Sequence, residues 1–486
     1  MAYHDSIFTR SFSQDEMKKL RCVALIICFV IAGSLCNIFK EPVRKCVLVY
    51  YSSISIKDGP LLVKVNLEGS LSLGLKILIG SQKPQQRYSH IADDLKPISN
   101  LSNSRSDVLE MSGDIRIHAR SSTIYVASAC LEKDPAPPPP PPPPLPSWTL
   151  KPYARKGDTF VMNYVRKWKI KYEAVTTLPN CTVRTTPDTT TTAVPAVVFS
   201  TGGYTGNQFH DFTDVLIPLY LTSRPFNGSV VFLVTDIRYS WISKYRLILR
   251  KLSDYDVVNI DKVSEVTCFS RMTFGLKSHK ELGLHPWEFP YHSIMDFRQF
   301  LRDTYSLNVT CRPSYGTGRP RLLMICRKNS RRLKNERQVA DTARFLGFDV
   351  VVSEIVHNVS VVASFVNSFD VMMGVHGAGL TNMVFLPDEA VVIEIIPLGL
   401  DLLAKDYFQS PAREMGMSYL EYKVDLNESS LLGKYPHDSE VYTHPGKLQK
   451  KGFLGFRSLY LDNQDINLDC VRFRETLLEA LRIIDN

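Results

Sequence analysis

From residue 194 onward, short apolar runs alternate with amphipathic stretches. VPAVVFS (194–200), VVFLVTD (230–236) and DVVNI (256–260) are compact, rich in β-branched residues and bounded by turn formers, as buried strands are. Between them, NQFHDFTDVLIPLYLTS (207–223) and WISKYRLILRKL (241–252) repeat their apolar positions with helical spacing. A second series follows: PRLLMICR (320–327), the helical NERQVADTARFLG (335–347), FDVVVSE (348–354), FDVMM (369–373) and AVVIEIIP (390–397). Strands separated by helices predict parallel sheets with crossover connections, so the fold class is α/β in two halves meeting near GTGRP (316–320). Such sheets bind ligands beyond the carboxyl ends of their strands, which places a site in a cleft between the halves.

The pattern differs upstream. Residues 22–39 (CVALIICFVIAGSLCNIF) form an apolar run without a charge, close to the span of a bilayer core. Lys18, Lys19 and Arg21 precede it, and its length favours an uncleaved anchor over a signal peptide. The expected order is a cytoplasmic tail (1–21), an anchor (22–39) and a stem of poor periodicity (40–111). DIRIHARSSTIYVAS (114–128) then alternates as two strands and opens the folded part. The consecutive prolines at 137–144 can only be a stiff polyproline II segment, within an insertion at 135–146, and TTPDTTTTAVP (185–195) is a second low-complexity bridge.

Composition narrows the picture in two ways. A net charge of +9 without a clustered basic stripe fits an anionic small ligand and argues against nucleic acid. Six Asn-x-Ser/Thr sites (Asn100, Asn180, Asn227, Asn308, Asn358, Asn427) suit a lumenal body, and the cysteines beyond the anchor are widely spaced without a CxxC pair. That spacing argues against a zinc ribbon or a thioredoxin-like site and allows scattered disulfides.

Chemistry gathers at the strand exits. GVHGAGLTNMVFLP (374–387) places His376, Gly377, Ala378, Gly379, Leu380 and Thr381 where a strand hands over to a helix, whose first amides suit a phosphate. Its glycines read GxxGxG, so the dinucleotide fingerprint is absent. RKNSRRLKN (327–335), with Arg327, Arg332 and Asn335, puts cations on the same rim. Glu394 stands at the next strand, either as a ribose hydrogen-bond acceptor or as an ordinary charged residue. In the first half, His210 lies beside Asp211 and four residues before Asp214, so either carboxylate is a candidate partner for a histidine general base. The DxD triplet at 254–256 reads as a turn on the side away from the cleft, and no metal site is expected.

Taken in order, SGDIRIHARSSTIYVA, KPYARKGD, VVFSTGGYTGNQFHDFTDVLIPLYLTSR, LVTD, LKSHKELG, RLLMICRKNSRRLKN, DVMMGVHGAGLTNMVFLP and YLEYKV resemble plant members of glycosyltransferase family 61. That group includes grass xylan arabinosyltransferases and xylan xylosyltransferases. The resemblance implies a GT-B architecture of two Rossmann-like domains facing a cleft: 112–317 on the acceptor side and 318–486 holding the nucleotide sugar. It also implies a single-pass type II Golgi membrane protein with a lumenal catalytic body, and an inverting transfer of arabinofuranose or xylose from UDP-arabinofuranose or UDP-xylose to xylan. No cofactor or metal is implied. The donor diphosphate would lie at 377–381 with Arg327 and Arg332, Glu394 would hold the ribose, and His210, Asp211 or Asp214 would supply the base. Alternatives are an inactive scaffold or acceptor-binding subunit of a polysaccharide complex, and a glycoprotein glycosyltransferase.

Overall fold

A computed structural model of the chain describes residues 98–128, 146–183, 194–285, 293–310, 318–355 and 358–485, all within one compact unit spanning Arg87–Asn486. The apolar run at 22–39, the expected tail, most of the expected stem, the proline tract and most of the threonine-rich bridge lie outside the described residues. No helix among the described residues is long and apolar enough to cross a membrane.

Two sheets organise the unit. The first contains β1 (Ile98–Asn100), β2 (Leu109–His118), β3 (Thr123–Ser128), β4 (Ser147–Leu150), β5 (Trp168–Ala174), β6 (Thr182–Val183), β7 (Ala196–Ser200), β8 (Val231–Thr235), β9 (Val258–Asn259) and β10 (Thr267–Phe274). Its order is β4-β5-β3-β2-β10-β7-β8-β9, with β1 beside β2 and β6 beside β10. β7, β8 and β9 of the parallel run β10-β7-β8-β9 are legible as apolar runs, and β2 and β3 as the alternation over 114–128, whereas β10 is not; β2 pairs antiparallel with β1, β3 and β10. The first sheet therefore starts inside the stretch expected to be stem, at Ile98. A disulfide joins Cys181, next to β6, to Cys268 of β10.

The second sheet is wholly parallel: β11 (Arg321–Ile325), β12 (Asp349–Ser353), β13 (Val371–Val375), β14 (Val391–Ile396) and β15 (Ser418–Lys423), in the order β12-β11-β13-β14-β15. β11, β13 and β14 are almost wholly buried, which explains their continuous apolar sequences.

The principal helices are α1, which runs through Gln208–His210, Asp211–Leu216 and Ile217–Ser223 with its middle part in π geometry, α2 (Ile294–Tyr305), α3 (Glu336–Phe345), α4 (Val359–Val366) and α5 (Cys470–Asp485). α3 and α5 cover one face of the second sheet through Val339, Ala343, Phe473, Leu477 and Ile484. The other face joins a core that continues into the first half: Phe212 of α1 packs edge-on against Phe297 of α2 and Phe385 of the second half. The expected picture of two bodies facing an open cleft thus needs amendment. Apolar side chains of α1, α2 and α4 fill the space between the sheets, and ligand access is left to the rim where the strands end.

Candidate active site

At the start of α1, Asn207 caps the helix by accepting from Phe209 N at 3.0 Å. This sets His210 and Asp214 one turn apart, with His210 Nδ1 2.9 Å from Asp214 Oδ2. Asp214 is fully buried, yet it is richly bonded. Tyr153 Oη donates to it at 2.8 Å, and Arg155 donates through Nε at 2.9 Å and Nη2 at 2.8 Å. Burial alone would raise its pKa, but Arg155 and His210 outweigh burial and hold it below the usual carboxylate range. An ionised carboxylate only accepts, so the hydrogen of this contact sits on His210 Nδ1.

A second buried acid completes the cluster. Glu281 accepts from Arg105 at 2.8 and 2.9 Å, from Arg155 Nη2 at 2.9 Å and from Thr213 Oγ1 at 2.8 Å. Burial opposes its ionisation, but Arg155 and Arg105 prevail and keep its pKa low. Two arginines and two carboxylates balance each other, and the network fixes Asp214 and through it the imidazole.

Asp211 takes no part in this cluster. It accepts from Gly206 N at 2.7 Å, Trp241 Nε1 at 2.9 Å and Tyr245 Oη at 2.8 Å, and pairs with Lys244 at 3.1 Å. Its role is to lock the glycine-rich turn before α1 onto the following helical segment. Of the two carboxylates open at sequence level, Asp214 is the one that meets His210.

On the second sheet, parallel register brings three strand exits together: Ile325 pairs with Gly374, and Gly374 with Glu394. His376 Nδ1 lies 2.5 Å from Glu394 Oε1, and Tyr419 Oη donates to Oε2 at 2.6 Å. Both Glu394 oxygens are engaged and the side chain is wholly buried. The expected ribose contact is therefore replaced by orientation of His376.

Beyond His376, Gly377 adopts φ +147°, and a Cβ there would stand 2.4 Å from Arg327 Nη1 and 3.3 Å from Arg331 Nη2. Two guanidinium groups thus press on bare backbone at the turn. Burial lowers the pKa of Arg327, and burial together with Arg327 pushes Arg331 down to about 9. Asp462 opposes that shift from a distance, and among the described residues no carboxylate makes an ion pair with Arg327 or Arg331. Arg331 Nε and Thr381 Oγ1 are buried with no hydrogen-bond partner among the described residues. Arg331 also holds the left-handed φ of +52°, a conformation uncommon outside glycine and frequent at functional sites. The two guanidinium groups at Gly377 suit an anion with several oxygens, such as a diphosphate.

The segment after Gly377, Ala378–Phe385, is a 3-10 helix and not the expected α-helix. Ala378 and Gly379 stay partly accessible, while Leu380 packs in the core. Arg332 and Asn335 lie elsewhere. Arg332 is 53% exposed and paired with Asp465 at 2.6 Å, and Asn335 clamps Leu468 through both its main-chain groups.

The two clusters adjoin. Gln208 Nε2 donates to Asn382 Oδ1 at 2.6 Å. Tyr407 stacks on Phe209 at 4.6 Å and lies 6.2 Å from the His376 ring. Sequence reasoning did not single out Arg105, Tyr153, Arg155, Glu281, Arg331, Tyr407 or Tyr419. The blocks KPYARKGD and LKSHKELG carried three of them, but nothing in their local pattern shows a partner more than fifty residues away.

A sequence profile of the Glycosyltransferase 61 family matches residues 208–393, a span holding His210, Asp214, Arg327, Arg331, His376 and Gly377. An alpha-1,3-arabinosyltransferase of Oryza sativa subsp. japonica is 40% identical over 405 residues, covering 82% of this chain and 67% of that protein. A beta-1,2-xylosyltransferase of the same organism is 37% identical over 391 residues, covering 78% of this chain and 83% of its own length. A xylan glycosyltransferase of Arabidopsis thaliana is 34% identical over 397 residues, 77% of each chain.

Proposed function

The chain belongs to glycosyltransferase family 61, and from that premise we propose that it moves a pentose, arabinofuranose or xylose, from a UDP-sugar onto xylan with inversion at the anomeric carbon. The observation that carries the reading is an imidazole oriented by a buried carboxylate beside a buried, unbalanced guanidinium pair. In this reading His210 Nε2 takes the proton of an acceptor hydroxyl as its oxygen bonds to the anomeric carbon. The bond from that carbon to the phosphate oxygen breaks, and its electron pair leaves with UDP. Arg327, Arg331 and the backbone at Gly377 receive the charge gathering on the diphosphate, where prearranged charge lowers the barrier most. Glu394, itself bonded by Tyr419, fixes the His376 ring at the same turn. With two guanidiniums in that place, the transfer is proposed to proceed without a divalent ion.

The names of the relatives support the pentose and the acceptor. A GT-B arrangement is supported by the two α/β halves and by the nearness of the two clusters. A lumenal Golgi setting is supported by the Cys181–Cys268 disulfide and by all six Asn-x-Ser/Thr asparagines being exposed.

The test is to incubate the chain with xylo-oligosaccharides and UDP-arabinofuranose or UDP-xylose, with and without chelator, and to follow product by mass spectrometry. Chelator-insensitive pentosylation that falls by about two to four orders of magnitude in His210→Ala is expected. A folded protein that neither transfers a pentose nor binds UDP would overturn the reading in favour of a scaffold.

A further inference from the structure

A cavity of about 740 Å³ borders the Arg105–Arg155 network, and its walls come from both halves of the unit: Phe160 and Tyr204 from the first, Phe453 and Leu454 from the C-terminal stretch. Its volume lies in the range of about 300–1,000 Å³ that small-ligand sites occupy, with room for several sugar rings. Tyr204 connects it to the chemistry, because its ring lies 4.4 Å from that of His210.

Two features say what would fill it. First, its apolar groups are presented outward: Phe160 is 43% exposed, Phe453 42% and Leu454 58%. Open space surrounds the position a Cβ would take at Gly157, Gly452 and Gly455. Phe453 stacks on Phe456 at 6.4 Å and Phe160 meets Tyr164 edge-on at 5.6 Å; part-exposed rings braced in this way beside bare backbone suit the C–H face of a sugar ring, with backbone groups left for its hydroxyls.

Second, its cations are already matched. Arg105 and Arg155 are shared between Asp214 and Glu281, and Lys156 pairs with Asp107 at 2.7 Å. Asp158 in turn accepts from the Tyr204 hydroxyl at 3.1 Å. The arginines and the lysine of the walls, which also include His279, offer no surplus positive charge to an acidic sugar, in contrast to the pair at Gly377.

We propose that this cavity is the acceptor subsite, that it takes a run of neutral sugar rings, and that Phe160 and Phe453 are stacking platforms contributed by the two halves. The inference rests on the transferase reading and adds the specificity-determining residues of its second substrate. Phe453 lies in the short helix Phe453–Phe456, remote in sequence from α1, so acceptor choice would depend on a segment outside the one matched by the family profile.

The experiment titrates xylohexaose into the full chain, wild type and variants, by isothermal calorimetry, with UDP affinity as the check on folding. Phe453→Ala and Phe160→Ala should each weaken xylohexaose by about tenfold, the loss for one removed aromatic platform, with UDP affinity unchanged. Phe453→Tyr should restore binding, and a glucuronic-acid-bearing oligomer of equal length should bind no tighter than xylohexaose. Leu454→Ala serves as a second probe of the same wall. The proposal is overturned if wild type fails to bind xylohexaose, if both phenylalanine variants bind it as wild type does, or if the acidic oligomer binds tenfold tighter. Binding of xylohexaose without any pentose transfer would sink the transferase reading alone. Transfer with an unchanged acceptor KM in Phe453→Ala would sink the cavity alone.

Discussion

Single residues in this site divide into those that meet substrate in the proposed mechanism and those that hold them. Asp214 is a positioning residue: its bond to His210 Nδ1 selects the tautomer whose other nitrogen is basic. Asp214→Asn should lower kcat far more than donor affinity, which steady-state kinetics with UDP as competitor would separate. The same carboxylate shapes acid stability. Its folded pKa, like that of Glu281, lies below the ordinary value, so the stabilisation is complete above about pH 4 and is lost as pH falls further. The drop in melting temperature between pH 7 and pH 3 should therefore be smaller in Asp214→Asn than in wild type, and an equal drop would contradict the assignment. At the other cluster, Arg331→Ala should weaken UDP by roughly one to two orders of magnitude. Arg332→Ala should leave it within about twofold, because Arg332 is spent on Asp465 at the surface. Calorimetric titration with UDP reads both. Adjacent arginines in an irregular loop are indistinguishable in sequence, and the left-handed backbone at Arg331 decides which one turns inward.

At the scale of elements, the site is a consequence of strand register. Because β11, β13 and β14 are parallel neighbours, their exits lie side by side, and residues far apart in the chain (Arg327, His376 and Glu394) converge. The hand-over from β13 to the 3-10 helix turns on Gly377, whose missing side chain leaves room for Arg327. Gly377→Ala should displace that guanidinium and force an alanine into a backbone region essentially confined to glycine, raising the Kd for UDP and lowering stability by about 1–3 kcal/mol. Unchanged UDP binding would remove the cradle from the donor site. The exits of β11 and β13 were legible from apolar runs ended by glycine or basic residues. The partners of α1 were less so, since Arg105, Tyr153, Arg155 and Glu281 come from loops whose local sequence has no period.

For the molecule as a whole, the continuous core matters most. Phe212, Phe297 and Phe385 link helices of both halves. Buried Arg298 of α2 donates to the carbonyl oxygens of Leu386 and Met415 and to Asp388. Halves so joined should unfold together, giving one calorimetric transition whose calorimetric and van't Hoff enthalpies agree. Two separable transitions would show that the apolar layer between the sheets couples them weakly. The same layer keeps the His210 and Gly377 clusters at a fixed separation, as the single displacement proposed above would require.

The sequence by itself determined the α/β alternation, the parallel second sheet, the glycine turn and the His210–Asp214 spacing. Each is written in a period or a contact of only a few residues, which backbone geometry translates directly. Tertiary structure decided which of two acids orients the histidine, which of two neighbouring arginines stays without a carboxylate, and that Glu394 supports His376. It also decided that apolar side chains of α1, α2 and α4 fill the space between the two sheets. These outcomes depend on burial and on partners distant in sequence, and charge compensation in a buried place is a property of the packed whole.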